Sequence, residues 1–350
     1  MHRISLTLSF LLVLLAALPL SGSALIFADE AAEPTESTPP DFPYWDHVTQ
    51  RRYGGPTVVL LGGGWALTAR HVGPGEVEFN GGTIGFDRAS PHTLLNPAGS
   101  PADAVVFELV ADPAMLNLPP LPIASEPPRE GEEVVMIGFG RLRNEQVDWG
   151  PPESRIQGFS WSKDGAKRWG TNRIHSIRQR IRHQRFDTYS MVLRFDALDD
   201  PGSTPHEASA TLGDSGGALF ARRDGQWQLI GLITSISRPS HTPSDLTVVG
   251  DFTYAADLSD YRDEILRWAR PACANEEDDD RDGHIDYPAD PDCESLHDRD
   301  ERYVGPPIRS EVAGAAAGVI VLLCGGLYAV WRRNQRIPRT PDSTSSSSAR

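Results

Sequence analysis

Short apolar runs broken by glycine and proline fill the middle of the chain. Thr57 to Leu61, then Gly62-Gly63-Gly64, then Trp65 to Thr68 read as strand, tight turn, strand. Asp103 stands directly before Ala104 to Val110, an apolar run of the length of a buried strand. Met191 to Phe195 and Gln228 to Ile236 repeat the pattern, and residues 199–210, rich in Pro, Ser and small residues, form a loop between them. A helical period emerges only in Leu258 to Trp268, where Tyr261, Ile265 and Trp268 share one face and Ser259 or Asp257 can cap the start. This patterning predicts an all-β domain over 43–270 that closes with one helix.

Two longer apolar runs flank that domain. Met1-His2-Arg3, the apolar stretch Leu6 to Leu20 and the small residues Ser21 to Ala24 have the layout of a cleaved signal peptide over 1–24. An uncleaved anchor is the alternative, because Leu25 to Ala28 prolongs the run. Residues 25–42, with Pro34, Pro39, Pro40 and several acidic residues, are expected to be a disordered linker. Val312 to Trp331 has the length of a transmembrane helix, and the arginines that follow place 332–350 in the cytoplasm as a disordered tail. A buried soluble helix or a removed sorting tail is the rival. The expected location is therefore outside the cytoplasm, anchored to a membrane, in a periplasm or at a cell surface.

Charge changes the picture in one place. The chain carries a net charge of -15, and residues 273–302 hold thirteen Asp and Glu against three Arg, so most of the excess lies there. The rest is only mildly acidic, which gives no reason to expect nucleic acid as a partner. Arginines and lysines gather over 160–187, as an anion-binding patch or as a solvated hairpin; the hairpin is the expectation. Within the acidic segment, 271–303, Asp278, Asp280, Asp282, Gly283 and Asp286 follow the spacing D-x-D-x-D-G-x-x-D. Alternate carboxylates with a glycine at the turn offer a hard cation several oxygens on one loop, so calcium is expected in 275–286, against a disordered acidic tether. In an exported chain Cys273 and Cys293 are expected to form a disulfide, while the domain over 43–270 contains no cysteine.

The candidate chemistry lies in Leu212-Gly213-Asp214-Ser215-Gly216-Gly217-Ala218. Glycines around a serine suit a sharp bend, where the amides of Gly213 and Ser215 can face a developing negative charge. A serine of this kind needs a base and a group that orients the base. His71, after the strand Trp65 to Thr68, and Asp103, at the mouth of its strand, are the candidates. Asp87 is the weaker alternative to Asp103, since Arg88 follows it and no long apolar strand does. His92, His175 and His183 lack comparable context and are expected to be exposed.

Gly213-Asp214-Ser215-Gly216-Gly217 resembles the nucleophile loop of the trypsin/chymotrypsin-like serine peptidases, Trp65 to His71 their histidine motif, and Asp103-Ala104-Val105-Val106 their Asp-apolar strand. The order His, Asp, Ser also agrees. The resemblance covers roughly 43–270. It implies two antiparallel six-stranded β-barrels with a C-terminal helix, and Glu133 to Gly140 resembles the strand that opens the second barrel. It implies peptide-bond hydrolysis by Ser215, His71 and Asp103, with no cofactor for catalysis. The acidic segment resembles the calcium loops of thrombospondin type 3 repeats and dockerin modules.

Two features depart from the family pattern. Ser209 stands where basic-specific members carry an aspartate, and Ile236 and Phe252 replace usual glycines, on a strand that also brings Thr234 to the primary pocket. The implied preference is for small or medium apolar residues, because a buried Lys or Arg would lack a partner there. No apolar-apolar-Gly-Gly activation segment lies at a suitable distance from His71; Arg52-Tyr53-Gly54-Gly55 is too near. Asp214 is therefore expected to be satisfied by another internal donor. The functional expectation is an anchored serine endopeptidase acting on a protein or peptide substrate. A catalytically weak trypsin-like binding module is the alternative, and an esterase a third possibility.

Overall fold

The computed structural model describes residues 25–29, 35–110, 116, 118–237, 242–270, 273, 275, 278–293 and 301–302. The apolar segments read as signal peptide and membrane span lie outside the described residues. Among the described residues no helix is long and apolar enough to cross a membrane.

Two β units carry the domain, as the alternating and continuous apolar runs require. In the first, the strand order is Val48–Gln50, Thr57–Gly62, Trp65–Thr68, Pro101–Val110, Gly82–Phe86 and Val77–Phe79, with His92–Leu95 added on Pro101–Val110. This sheet has seven strands, and its end strands do not pair as a ladder; they meet through the isolated bridge between Arg51 and Val77, the Arg52 amide on the Glu76 carbonyl and the Gln50 side chain on Glu78. The expectation of a closed six-stranded first barrel is corrected to that extent. The two end strands, Val48–Gln50 and Val77–Phe79, are three residues each and offer few backbone groups with which to close the ladder. The second unit is a closed six-stranded barrel, ordered Arg168–His183, Phe186–Arg194, Phe252–Asp257, Gln226–Ser237, Ala218–Arg223 and Glu133–Gly138. The basic residues of 160–187 lie largely on the hairpin that Arg168–His183 makes with Phe186–Arg194, where Arg180 and Arg182 both pair with Asp187.

Each unit has its own core. Val58, Leu60, Ala66, Phe107 and Leu109 fill the first, while Met136, Ile174, Met191, Leu193, Leu219 and Ile230 fill the second. A third cluster joins them, with Val59, Leu67 and Val106 from the first, Ile137, Phe220 and Leu232 from the second, Tyr261 from the turn before the C-terminal helix and Ile265 from the helix itself. Each such side chain contributes about 1.5–3 kcal/mol on burial, so the two units are held together by apolar contact without a disulfide between them. The helix spans Arg262–Ala269 and follows a 3-10 turn, Leu258–Asp260, which Asp257 caps by accepting from the Ser259 amide. Of the two candidate caps, Asp257 is the one used.

The linker expectation for 25–42 is corrected at both ends. Leu25 and Ile26 are fully buried, and Ile26–Phe27 pairs antiparallel with Ala208–Ser209. Arg143 Nη1 donates to the Phe27 and Ala28 carbonyls at 2.8 and 3.3 Å. Phe42 packs edge-on against Phe220 and Trp227, with ring centroids 4.8 and 5.3 Å away. Proline and acid content marked this segment as unable to form its own core. It does not need one, because it adds its few apolar residues to a core already built by the barrels.

Candidate active site

The nucleophile loop is pinned between the two units. Thr57, at the start of a first-unit strand, donates its amide to the Gly213 and Ser215 carbonyls at 3.2 and 3.1 Å, and its hydroxyl to the Gly213 carbonyl at 3.1 Å. Gly216 has φ of +84°, and a Cβ there would collide with the Thr57 carbonyl and the Thr68 hydroxyl. Only glycine lets the loop pass so close. Within the loop the amides of Asp214, Gly216 and Gly217 are committed to the carbonyls of Thr211, Ile233 and Asp214. The amides of Gly213 and Ser215 donate to nothing among the described residues. They are the two donors left for a ligand at Ser215.

The three candidate residues converge on that loop. His71 sits on the turn after the buried strand Trp65–Thr68, where Val72 and Gly73 bond back to Ala69. Its amide donates to Asp103 Oδ1 at 2.8 Å, and its Nδ1 lies 2.8 Å from Asp103 Oδ2. Its Nε2 lies 3.2 Å from Ser215 Oγ. Asp103 is fully buried in Pro101–Val110, and its own amide donates to Thr188 Oγ1 across the cleft. Burial by itself would raise its carboxyl pKa. Hydrogen bonds and charge from His71, with a further bond from His183, outweigh burial and hold it below the usual carboxylate range. A carboxylate that stays ionised fixes the proton of His71 on Nδ1, which leaves Nε2 as the acceptor facing Ser215. The arrangement can remove the proton from the serine hydroxyl and hold an oxyanion on two amides.

His183 is a correction. Read as an exposed histidine, it lies against the site, with Nδ1 3.2 Å from Asp103 Oδ2 and its ring edge-on to His71 at 4.7 Å. It stands at the tip of the basic hairpin, opposite Phe186. The hairpin's long sequence separation from Asp103 hid that contact. His92 is likewise not free in solvent, since its ring stacks on Trp268 at 3.4 Å; His175 is exposed as expected.

Asp214 is fully buried and accepts from the Gly140 amide at 2.7 Å, the Thr211 amide at 2.8 Å and the Thr211 hydroxyl at 3.0 Å. These are internal donors of the kind the sequence called for, though nothing in it singled out Gly140 or Thr211. Close approach explains Gly140, because a Cβ there would overlap the Asp214 carboxylate.

Of the residues assigned to a primary pocket, Thr234, Ile236 and Phe252 lie on two adjacent strands of the second barrel, and Ser209 lies on the short strand that pairs with Ile26. Ser209 is buried under its pairing with Ile26, and Thr234 is buried with its hydroxyl donating to the Tyr254 carbonyl at 3.3 Å. Ile236 packs partly against the barrel core, and the ring of Phe252 faces His175 at 5.6 Å. The nearest buried acid in sequence is Glu207, which burial pushes up to about 7. Its oxygens are taken by Asn172, the Asp196 amide and both donors of Thr204.

In the acidic segment Cys273 and Cys293 are bonded, with Cα atoms 5.7 Å apart. Carboxylate oxygens of Asp278, Asp280 and Asp282 lie within 4.8 Å of one another, and those of Asp282, Asp290 and Asp292 do the same. Asp286 is outside the first group, and its Oδ1 accepts from the Asn275 amide. Asp278 Oδ1 and Asp290 Oδ2 are buried and have no hydrogen-bond partner among the described residues. Burial, and next the charges of Asp290, Asp280 and Asp282, raise the Asp292 carboxyl above its ordinary value. Crowded carboxylates with unsatisfied oxygens fit a hard divalent cation.

No family model matches the chain, and no curated protein does. Solved structures do. The chain is similar to Rv3671c from M. tuberculosis H37Rv in its inactive form, at 16% identity over 67% of this chain and 96% of that one, with a TM-score of 0.40. It is similar to the NS6 protease from murine norovirus 1, at 16% identity over 63% and 93%, with a TM-score of 0.35. It is also similar to neuropsin, a serine protease expressed in the limbic system of mouse brain, at 17% identity over 67% and 98%, with a TM-score of 0.42.

Proposed function

We propose that this chain is an exported, membrane-anchored serine endopeptidase. One observation carries the reading: Asp103, His71 and Ser215 form a continuous hydrogen-bonded relay that ends beside two amides with no other acceptor among the described residues. In the proposed reaction His71 Nε2 takes the proton from Ser215 Oγ as the oxygen attacks a peptide carbonyl. Asp103 stabilises the imidazolium, and the amides of Gly213 and Ser215 hold the oxyanion. His71 then gives the proton to the leaving amine, and water releases the acyl group by the reverse sequence. A fluorophosphonate probe tests the assignment. It should label Ser215 in the parent protein and fail to label His71→Ala. Absence of labelling in an intact parent would favour a trypsin-like binding module, which the partly filled side of Ile236 and Phe252 keeps as the second reading. Faster turnover of small esters than of any peptide would favour an esterase.

The pocket side supports a preference for small or medium apolar residues. Ser209 and Thr234 bring no charge, and the oxygens of the buried Glu207 are occupied by their own donors. A Lys or Arg entering there would lose its hydration without gaining a carboxylate. In a peptide library, cleavage after Ala, Val or Leu should exceed cleavage after Arg by at least about tenfold, roughly the effect of 1.4 kcal/mol. Equal cleavage after Arg would reject this preference.

For the acidic segment we propose calcium, held by Asp278, Asp280 and Asp282, with Asp290 and Asp292 as a second set. The bonded cysteines close the segment, which on the chain-entropy view stabilises it by roughly 3 kcal/mol. Calcium would supply the positive charge that offsets these crowded carboxylates, and serves no step of the hydrolysis. Removing calcium with a chelator is expected to expose 278–293 to limited proteolysis while leaving the β domain's unfolding temperature within about 2 °C. A chelator without effect on proteolysis of that segment would remove the calcium assignment.

A further inference from the structure

His183 has no place in the relay, yet it is held against it. Its position is fixed from several sides. Thr188, five residues on, takes the Asp103 amide, and the Asp187 carbonyl accepts from Asn96 Nδ2 at 2.8 Å. Asn96 in turn accepts from the Tyr261 hydroxyl at 2.7 Å, which also takes the Tyr189 amide at 3.2 Å. The hairpin tip is thus tied to the first unit and to the C-terminal helix. Ring nitrogens of two histidines thereby meet one buried carboxylate oxygen, Asp103 Oδ2, at 2.8 Å from His71 Nδ1 and 3.2 Å from His183 Nδ1. All three ligand atoms lie within 4.8 Å of one another.

We infer that His71, Asp103 and His183 form a site for a divalent transition metal, with zinc as the fitting ion, and that its occupancy shuts the enzyme off. Zinc takes imidazole nitrogen and carboxylate oxygen at about 2.0–2.2 Å in tetrahedral geometry, so paired ligand atoms stand about 3.3 Å apart. The two measured separations fall slightly inside that value, and a small opening of the cleft admits the ion. Two nitrogens and one oxygen exclude calcium and magnesium, which prefer oxygen alone. The His183 side chain is 34% exposed, which gives the ion an entry path and leaves the fourth position to water.

Inhibition follows from the tautomer and rests on the proposed hydrolase reading. Zinc on Nδ1 takes the lone pair that carries the proton in the working form. The neutral imidazole then holds its proton on Nε2, where it can no longer accept one from Ser215 Oγ. No net proton is gained or lost by the ring; the proton changes nitrogen. Asp103, bound to the ion, also ceases to stabilise an imidazolium.

Titration of the full-length Ser215→Ala protein with zinc chloride, in saturating calcium to fill the acidic segment, measures binding without activity. One zinc per chain is expected, with a Kd in the micromolar range and a loss of roughly tenfold or more in His183→Gln. Cobalt(II) on the unsubstituted protein gives a variant-free check, since a tetrahedral nitrogen-oxygen site produces visible absorption bands. In the Ser215-containing protein, zinc should slow fluorophosphonate labelling and a chelator should restore it. In His183→Gln the labelling rate, relative to that variant's own metal-free rate, should respond at least tenfold less to zinc. Zinc binding that survives His183→Gln unchanged, absent tetrahedral cobalt bands, or labelling indifferent to bound zinc would each overturn the inference. If labelling is absent without any metal, the hydrolase reading fails, while the zinc titration and the cobalt spectrum still decide the metal site.

Discussion

Ser215→Ala is expected to lower kcat for peptide hydrolysis by about 10⁶-fold, with folding stability changed by no more than about 0.5 kcal/mol. The contrast between the two effects is the informative part. Ser215 is partly exposed and, among the described residues, its Oγ makes one hydrogen bond, to His71 Nε2 at 3.2 Å, so its removal leaves no buried group unsatisfied. The loop around it is held by other atoms, chiefly Thr57, the Asp214 carboxylate and the amides of Gly216 and Gly217. Those bonds remain, and so do the amides of Gly213 and Ser215. A residual acceleration of roughly 10³-fold over water should therefore persist from oxyanion stabilisation and substrate binding alone. His71→Ala combined with Ser215→Ala should cost hardly more than either one, because neither works without the other. Asp103→Asn should fall somewhat less far, by about 10⁴-fold, since the amide would favour the other tautomer of His71. Steady-state kinetics on one good peptide, with thermal unfolding of each variant, measures both quantities. A Ser215→Ala protein that keeps its peptidase rate would mean that the hydrolysis came from somewhere else.

What the chain disclosed in advance depended on how local each feature is. The glycine-framed serine, the histidine after Trp65 to Thr68 and the aspartate before its apolar run are short patterns, each legible in a few residues, and the structure places the three within hydrogen-bond reach. The β class and the terminal helix were legible for the same reason, since period and glycine placement act over one element at a time. Features that depend on long separations were hidden. His183 lies 80 residues from Asp103, and Thr57 lies 156 from the Gly213 carbonyl that it holds. No local pattern marks either, although a histidine at the tip of a basic hairpin is a signal that topology can convert into a contact. Leu25 to Ala28 misled differently. They read as the start of a disordered linker, or in the anchor alternative as a prolongation of the apolar run, whereas the backbone of Ile26 and Phe27 pairs with Ala208–Ser209. Closure of the first unit was overestimated because pattern gives strands, and the pairing at the ends depends on the length of the end strands.

Asp214→Ala should damage folding and catalysis together, and this second expected result tests the internal support of the site. The carboxylate binds the amides of Gly140 and Thr211 and the Thr211 hydroxyl inside a fully buried space. Removing it leaves two buried N–H groups without acceptors, at about 1–3 kcal/mol each, and a small cavity besides. A loss of roughly 3 kcal/mol in stability is expected. The hydroxyl of Thr211 suffers less, because the Arg141 carbonyl at 3.2 Å is already within its reach. The Gly213 amide then loses its fixed direction, and kcat should drop by about 10²- to 10³-fold, the usual effect of losing one oxyanion donor. The pH dependence separates charge from packing. Burial pushes the Asp214 carboxyl up to about 6, against an ordinary 3.8, even though its three donors pull it back. The folded protein thus holds that proton more tightly than the unfolded chain does. Its contribution to stability is full below about pH 4 and is lost as pH rises through about 6, a change of roughly 3 kcal/mol for a shift of about two units. Asp214→Asn, which keeps the volume and cannot ionise, should remove that contribution, leaving a decline of similar size toward pH 7 from Glu207, whose carboxyl burial pushes up to about 7. Chemical denaturation at pH 4, 5, 6 and 7 on the parent and Asp214→Asn measures the difference. Parallel curves for the two proteins would show that this carboxyl does not titrate in that window, and a fully active Asp214→Ala would show that the nucleophile loop keeps its shape without it.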